Sequence, residues 1–156
     1  DAVVAVMALC EVAAYCRHQG ITLCDQMEKL FEKYGYYKEN LCTVTLKGQE
    51  GAKKIQSMME QIRANVPETV GDMKVLKFRN YKEDVAKDCV TGVQEPTGLP
   101  RSNVLYFDLE DDAWCCIRPS GTEPKIKFYI GVKGSDDKDA QEKLDALTAA
   151  VNALAE

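Results

Sequence analysis

Cys115-Cys116-Ile117-Arg118-Pro119-Ser120-Gly121-Thr122-Glu123-Pro124-Lys125-Ile126-Lys127-Phe128-Tyr129 decides how this chain reads. The apolar run from Ala113 to Ile117 predicts a buried strand, and the alternating run from Lys125 to Val132 predicts a second. The loop between them holds a guanidinium, two hydroxyls and a glycine between two prolines. Pro119 and Pro124 fix φ at its edges. Gly121 allows positive φ and close approach of a ligand to the backbone. Arg118 offers a planar fork suited to a phosphate. Ser-Gly-Thr alone reads as a hairpin turn facing water. Lys125 and Lys127, two apart on a strand and so on one face, favour phosphate or another oxyanion.

Around this hairpin the chain predicts further elements in order. Ala2 to His18 reads as a helix, with Asp1 as N-cap or first-turn acid and Gly20 ending it. Its apolar residues wrap most of the circumference, which asks for burial on several sides. Thr22 caps a second helix, Leu23 to Tyr34, whose Leu23, Met27, Leu30, Phe31 and Tyr34 form one packing face. Residues 36–40 read as a connector and candidate hinge. Leu41 to Leu46 and Met73 to Arg79 alternate as strands, and Gly51 to Ala64 reads as a helix with Ile55, Met58, Met59 and Ile62 inward. Tyr81 to Pro100 reads as a long loop or irregular hairpin around Thr91-Gly92. Asn103 to Leu109 and Ala113 to Ile117 pair through the turn at 110–112. Ser135 or Asp136 caps a last helix lined by Ala140, Leu144, Leu147, Val151 and Leu154. The fold class is α+β: an antiparallel sheet of about four to five strands, helices on one face, two helices ahead of it.

Composition narrows the function classes. The 156 residues carry a net charge of −5, which speaks against general nucleic-acid binding. Ala2 to Cys16, interrupted by Glu11, is too short for a membrane span, and it lacks the basic lead of a signal peptide. The seven cysteines form no C-x-x-C pair, and there is one histidine, His18, so no zinc set is expected. Reduced thiols in a cytoplasmic protein are the expectation. The chain starts without Met inside a helix, as a piece of a longer protein would.

Arg118-Pro-Ser-Gly-Thr-Glu-Pro-Lys-Ile-Lys-Phe-Tyr129 resembles the phosphate-binding loop in the last domain of the α-D-phosphohexomutases, the family of phosphoglucomutase and phosphomannomutase. The element order is similar to the C-terminal portion of such enzymes. The resemblance implies that residues 1–38 close a preceding domain and that 39–156 form the C-terminal, phosphate-binding one. It implies phosphate contacts from Arg118, Ser120, Gly121, Thr122 and Lys127, with Lys125 as a further contributor, and loop geometry as the role of Glu123. The parent would interconvert hexose 1- and 6-phosphates of glucose or mannose through a bisphosphate, using Mg2+. Its phosphoserine, Asp-rich metal loop and sugar loop lie in domains not found in these residues. No catalytic residue, metal or cofactor is therefore expected here, and the partners would be the phosphosugar and the preceding domains. Two other readings are a free-standing anion-binding or interaction module and, from the cysteines, a thiol redox enzyme.

Overall fold

The computed structural model describes residues 1–154, which form two compact units divided between Tyr36 and Tyr37. The first unit holds α1 (Ala2–His18) and α2 (Leu23–Tyr34). The Asp1 carboxylate accepts from the Val3 amide at 2.8 Å, satisfying one of the helix's open donors. Thr22 and Asp25 form a capping box, with the Thr22 amide donating to Asp25 Oδ2 at 2.7 Å and Asp25 N to Thr22 Oγ1 at 3.1 Å. Gly35 closes α2 at φ 104, a conformation that suits glycine. Phe31 stacks on Tyr36 at 5.3 Å. The expected packing face of α2 is otherwise on the surface, with Met27 51% exposed and Leu30 41%. Most apolar residues of α1 are equally open, Val3 at 68% and Met7 at 66%, while Cys16 is buried.

The second unit is a sheet with two helices. Its strands are β1 (Tyr36–Thr45), β2 (Thr69–Val70), β3 (Met73–Asn80), β4 (Val85–Asp88), β5 (Gln94–Glu95), β6 (Leu105–Leu109), β7 (Trp114–Pro119) and β8 (Lys125–Gly134). α3 (Gly48–Ala64) follows β1, and α4 (Asp137–Leu154) ends the described chain. The order across the sheet is β1-β8-β7-β6-β3-β4-β5, with β2 paired to β3. The registered pairs from β2 through β8 are antiparallel. The α+β architecture is as expected, and the five strands anticipated are all present. The three additional strands, β2, β4 and β5, have two to four residues each.

One expectation needs correction and another is narrowed. Residues 36–40 are not a connector but the first half of β1 beside β8. They are fastened to α4, with Lys38 Nζ 3.0 Å from an Asp137 carboxylate oxygen and the Asn40 amide donating to Thr148 Oγ1 at 3.2 Å. Of the two readings of residues 81–100, the hairpin is the one the structure has, not the long loop. β4 and β5 make the hairpin around Thr91-Gly92, pairing Ala86 with Glu95, and Gly92 sits at φ +76. The Asp88 carboxylate accepts from the Val90 and Thr91 amides, and the Asp84 carboxylate accepts from the Thr97 amide and hydroxyl. These bonds hold both carboxyls below their ordinary range. Asp84 and Asp88 are thus the pins of this segment.

Strand alternation builds the core. Ile117, Ile126, Phe128, Ile130, Phe107 and Leu105 point to the same face and are at most 1% exposed. α3 covers that face with Ile55, Met58 and Met59, and α4 with Leu144, Leu147 and Val151. Leu154, expected in this row, is exposed instead. Asp136, rather than Ser135, caps α4 through a 2.9 Å bond from the Asp139 amide. At the β8–α4 corner a Cβ on Gly134 would lie 2.3 Å from the Ala140 backbone nitrogen. Gly134→Ala is therefore expected to push the start of α4 outward and to lower stability by about 1–3 kcal/mol in urea unfolding. An unchanged midpoint would show that the corner relaxes freely.

The thiols are free, and Cys115 is fully buried. Burial pushes the Cys115 thiol up to about 12 from an ordinary 9.0. Below pH 9 both folded and unfolded thiols are neutral, and this contribution to stability is intact. Above pH 9 the unfolded thiol ionises while the folded one stays protonated, so stability falls as pH rises towards 12. The loss is about 1.4 kcal/mol by pH 10. Urea midpoints between pH 8 and 10 measure it, and Cys115→Val is expected to flatten the decline.

Candidate functional site

The β7–β8 hairpin places the six residues of interest at one end of the sheet, distributed over both faces. Arg118 pairs directly with Lys127 in the ladder, on the face turned away from α3 and α4. Two like charges directly opposite repel unless something anionic sits between them. Ser120, Gly121 and Thr122 form the tip. The Ser120 amide donates to the Lys125 carbonyl at 2.8 Å, closing the loop. The amides of Thr122 and Glu123 donate to Ser120 Oγ at 3.4 and 3.3 Å. These bonds are long, so an oxyanion bound at the tip would offer the same donors a better acceptor. A Cβ on Gly121 would meet nothing within 4 Å, and its φ is not positive. What this glycine contributes is therefore open space beside the backbone rather than a left-handed turn.

Lys125 does not present a free ammonium: its Nζ lies 3.0 Å from Glu123 Oε2. Glu123 also accepts from the Lys125 amide through its backbone carbonyl at 2.7 Å. The Leu46 amide donates to the Pro124 carbonyl at 2.9 Å, tying the loop to the chain just before α3.

A cleft of about 790 Å³ opens between this loop and α3. Ser120, Gly121, Thr122 and Lys125 line it, but Arg118 and Lys127 do not. Its other walls include Gln49, Gln56 and Arg63 of α3, together with Lys82 and Asn103. Arg63 Nε donates to Asn80 Oδ1 at 3.4 Å and its terminal nitrogen to Asn103 Oδ1. Burial disfavours the charge on Arg63, while Glu83 and Glu60 nearby support it. Sequence reasoning missed Arg63 and Asn103, which stand forty residues apart. Among the described residues no three of His, Cys, Asp and Glu gather into a metal-holding group.

The face away from the helices carries an aromatic strip. Trp114 stacks on Tyr106 at 5.8 Å with the rings 8° apart, and Arg79 lies over Tyr106 at 5.0 Å. Arg79 is also paired with Asp108 at 2.7 Å. The Trp114 indole lies on Gly131, where a Cβ would come within 2.4 Å of Nε1.

The family model for the phosphoglucomutase/phosphomannomutase C-terminal domain matches residues 49–149. A phosphoglucomutase of Staphylococcus aureus (strain MRSA252) is 34% identical over 147 residues, 94% of this chain and 26% of that protein. One of Staphylococcus saprophyticus is 33% identical over 146 residues, again 94% and 26%. The chain thus spans about a quarter of the length of the curated relatives it matches. The Paramecium exocytosis-sensitive phosphoprotein pp63/parafusin, a phosphoglucomutase solved in its open form, shares the fold. Its TM-score is 0.54 at 12% identity, covering 97% of this chain and 27% of that one. The family match across β2 to β8, nearly all of α3, most of α4 and the 118–129 hairpin shows that the chain belongs to the phosphoglucomutase/phosphomannomutase family, with residues 49–149 matching its C-terminal domain.

Proposed function

We propose that this chain is the substrate-phosphate-binding domain of a phosphohexomutase that interconverts hexose 1-phosphate and hexose 6-phosphate, of glucose or mannose, through a bisphosphate. The observation that carries this is the hairpin tip. Ser120 Oγ gathers two backbone amides, Gly121 leaves open space, and the Arg118–Lys127 pair stands at its base. Arg118 clamps the phosphate, Lys127 adds charge, Ser120 and Thr122 donate hydroxyls, and Gly121 gives its N–H. Lys125 contributes through its pairing with Glu123, which shapes the loop. The domain holds and orients the phosphate that is not reacting. The nucleophile and the Mg2+ belong to earlier domains of the parent, which is cytoplasmic in this reading. Residues 1–38 close the preceding domain, a role supported by the exposed apolar side chains of α1 and α2.

Titrating this chain with glucose 1,6-bisphosphate while following backbone amides by NMR tests the reading. Shifts centred on residues 118–127 are expected. Their absence at saturating ligand would refute the phosphate role and favour an interaction module without a phosphosugar ligand.

A further inference from the structure

The ladder positions the base of the β7–β8 hairpin, but its tip is seated from outside. Within the tip the bonds run between its own residues: the Ser120 amide to the Lys125 carbonyl, the Lys125 amide to the Glu123 carbonyl, and two amides to Ser120 Oγ. These bonds fix the shape of the loop, not its place beside the cleft. The bond that reaches another part of the chain runs from the Leu46 amide to the Pro124 carbonyl, at 2.9 Å. Pro124 has no N–H, so its carbonyl is the one backbone group it can offer, and its ring fixes φ beside that carbonyl. Leu46 follows directly on β1 and is half-buried against the core.

Leu46 is in turn held by α3. Gly51, near the start of that helix, is buried. A Cβ there would lie 2.6 Å from the Leu46 carbonyl carbon and 2.7 Å from both its carbonyl oxygen and its Cβ. Carbon atoms settle at about 3.5–4.0 Å, so any side chain at this position would drive Leu46 and α3 apart by roughly 1 Å. Backbone atoms are among those struck, so no rotamer change relieves the overlap. Glycine is a poor helix former, and φ of Gly51 is not positive. Neither helix propensity nor backbone conformation asks for glycine here; the close approach to Leu46 does. A relay therefore runs by backbone contact from α3 to Leu46, and by one hydrogen bond from Leu46 to Pro124. Its two ends border the same cleft, with Gly48, Gln49 and Ala52 on the helix side and Ser120, Gly121 and Thr122 on the loop side.

We propose that Gly51 and Leu46 are positioning residues for the phosphate loop. By letting α3 close onto the end of β1, they seat residues 120–125 through Pro124 and set the width of the cleft. The inference rests on the phosphate reading of the loop. It adds that the loop's place is decided on α3, outside the hairpin motif. Recognition chemistry stays with the loop residues. The relay contributes preorganisation, because a loop already held at its bound position loses less freedom on binding.

Two variants of this chain cut the relay at different points. Gly51→Ala forces Leu46 away from α3. Replacing Leu46 by the corresponding α-hydroxy acid turns its amide into an ester, which removes the donor to Pro124 and leaves the side chain and α3 as they are. Both are expected to move the NMR amide signals of Ser120 to Glu123 in the ligand-free chain and to weaken glucose 6-phosphate binding about tenfold. Combined, they should weaken it no further than either alone, since both interrupt one path. Gly134→Ala is the control: it creates a steric overlap of the same kind at the far end of β8 and should lower stability while leaving the loop signals and the affinity unchanged. A merely structural Gly51 would behave like Gly134. Unmoved loop signals and unchanged affinity in a folded Gly51→Ala variant overturn the proposal. Should that variant not fold, the ester decides alone, and an affinity equal to that of the unsubstituted chain overturns it. Binding retained in full by both variants defeats this inference only, whereas no loop response to glucose 6-phosphate in the unsubstituted chain defeats the phosphate reading and this inference with it.

Discussion

Phe128→Ala is expected to lower the stability of this chain by about 3–5 kcal/mol. Phe128 is completely buried, pairs with Ile117 across the β7–β8 ladder and belongs to the same core as Met59, Leu144 and Leu147. The size of such a loss depends on how far the surroundings collapse into the space left. Collapse is restricted here, because β8 lies between β1 and β7 and cannot move inward without breaking a ladder. Total stabilities of about 5–15 kcal/mol are usual, so the variant would lose a large share of its folding free energy. Phe128→Leu, which keeps most of the volume, should cost about 1.5 kcal/mol or less. Urea unfolding followed by circular dichroism measures both. A loss below about 1 kcal/mol for the alanine variant would mean that the core is not organised around β8.

The β8 core face was readable because the information is local. Ile126, Phe128, Ile130 and Val132 alternate with Lys127, Tyr129 and Lys133, and period two on a strand is decided by the strand itself. The caps were readable for the same reason: Thr22 and Asp25 are three residues apart, and so are Asp136 and Asp139. The hairpin motif combined local chemistry with a family resemblance, and residues 49–149 match that family. What escaped depends on partners distant in sequence. Asp84 has meaning only once Thr97 has turned back to it. Residues 36–40 become strand because α4, a hundred residues later, supplies Asp137 and Thr148 as anchors. Arg63 lies on a helix face that pattern alone assigns to solvent, and its significance comes from Asn80 and Asn103 at the sheet end. Sequence spacing also could not show that the α3 cleft reaches the loop tip and Lys125 but not Arg118 and Lys127, which face each other across the ladder.

The Arg118–Lys127 pair makes binding separable from folding. Arg118→Ala is expected to weaken phosphosugar binding by roughly 10- to 150-fold, the equivalent of one charge-assisted contact of about 1.5–3 kcal/mol. The same substitution should leave stability unchanged or raise it by a few tenths of a kcal/mol, since it removes a like-charge neighbour from Lys127. Arg118 is exposed, so no cavity forms. Arg118→Lys keeps the charge but loses the planar fork and should fall between the two. Ser120→Ala removes a neutral donor and should cost less, about 0.5–1.5 kcal/mol. Lys138→Ala controls for general attraction, because Lys138 sits on α4 in an exposed pair with Glu142. Calorimetric titration with glucose 1,6-bisphosphate at two salt concentrations distinguishes the cases. A specific clamp makes Arg118→Ala far worse than Lys138→Ala at both, since a contact made at hydrogen-bonding distance is screened less than a diffuse field. Equal losses in the two variants, both vanishing at high salt, would mean that the loop attracts anions only through net charge. Arg118 would then be a surface cation whose position beside Ser120 has no recognition role.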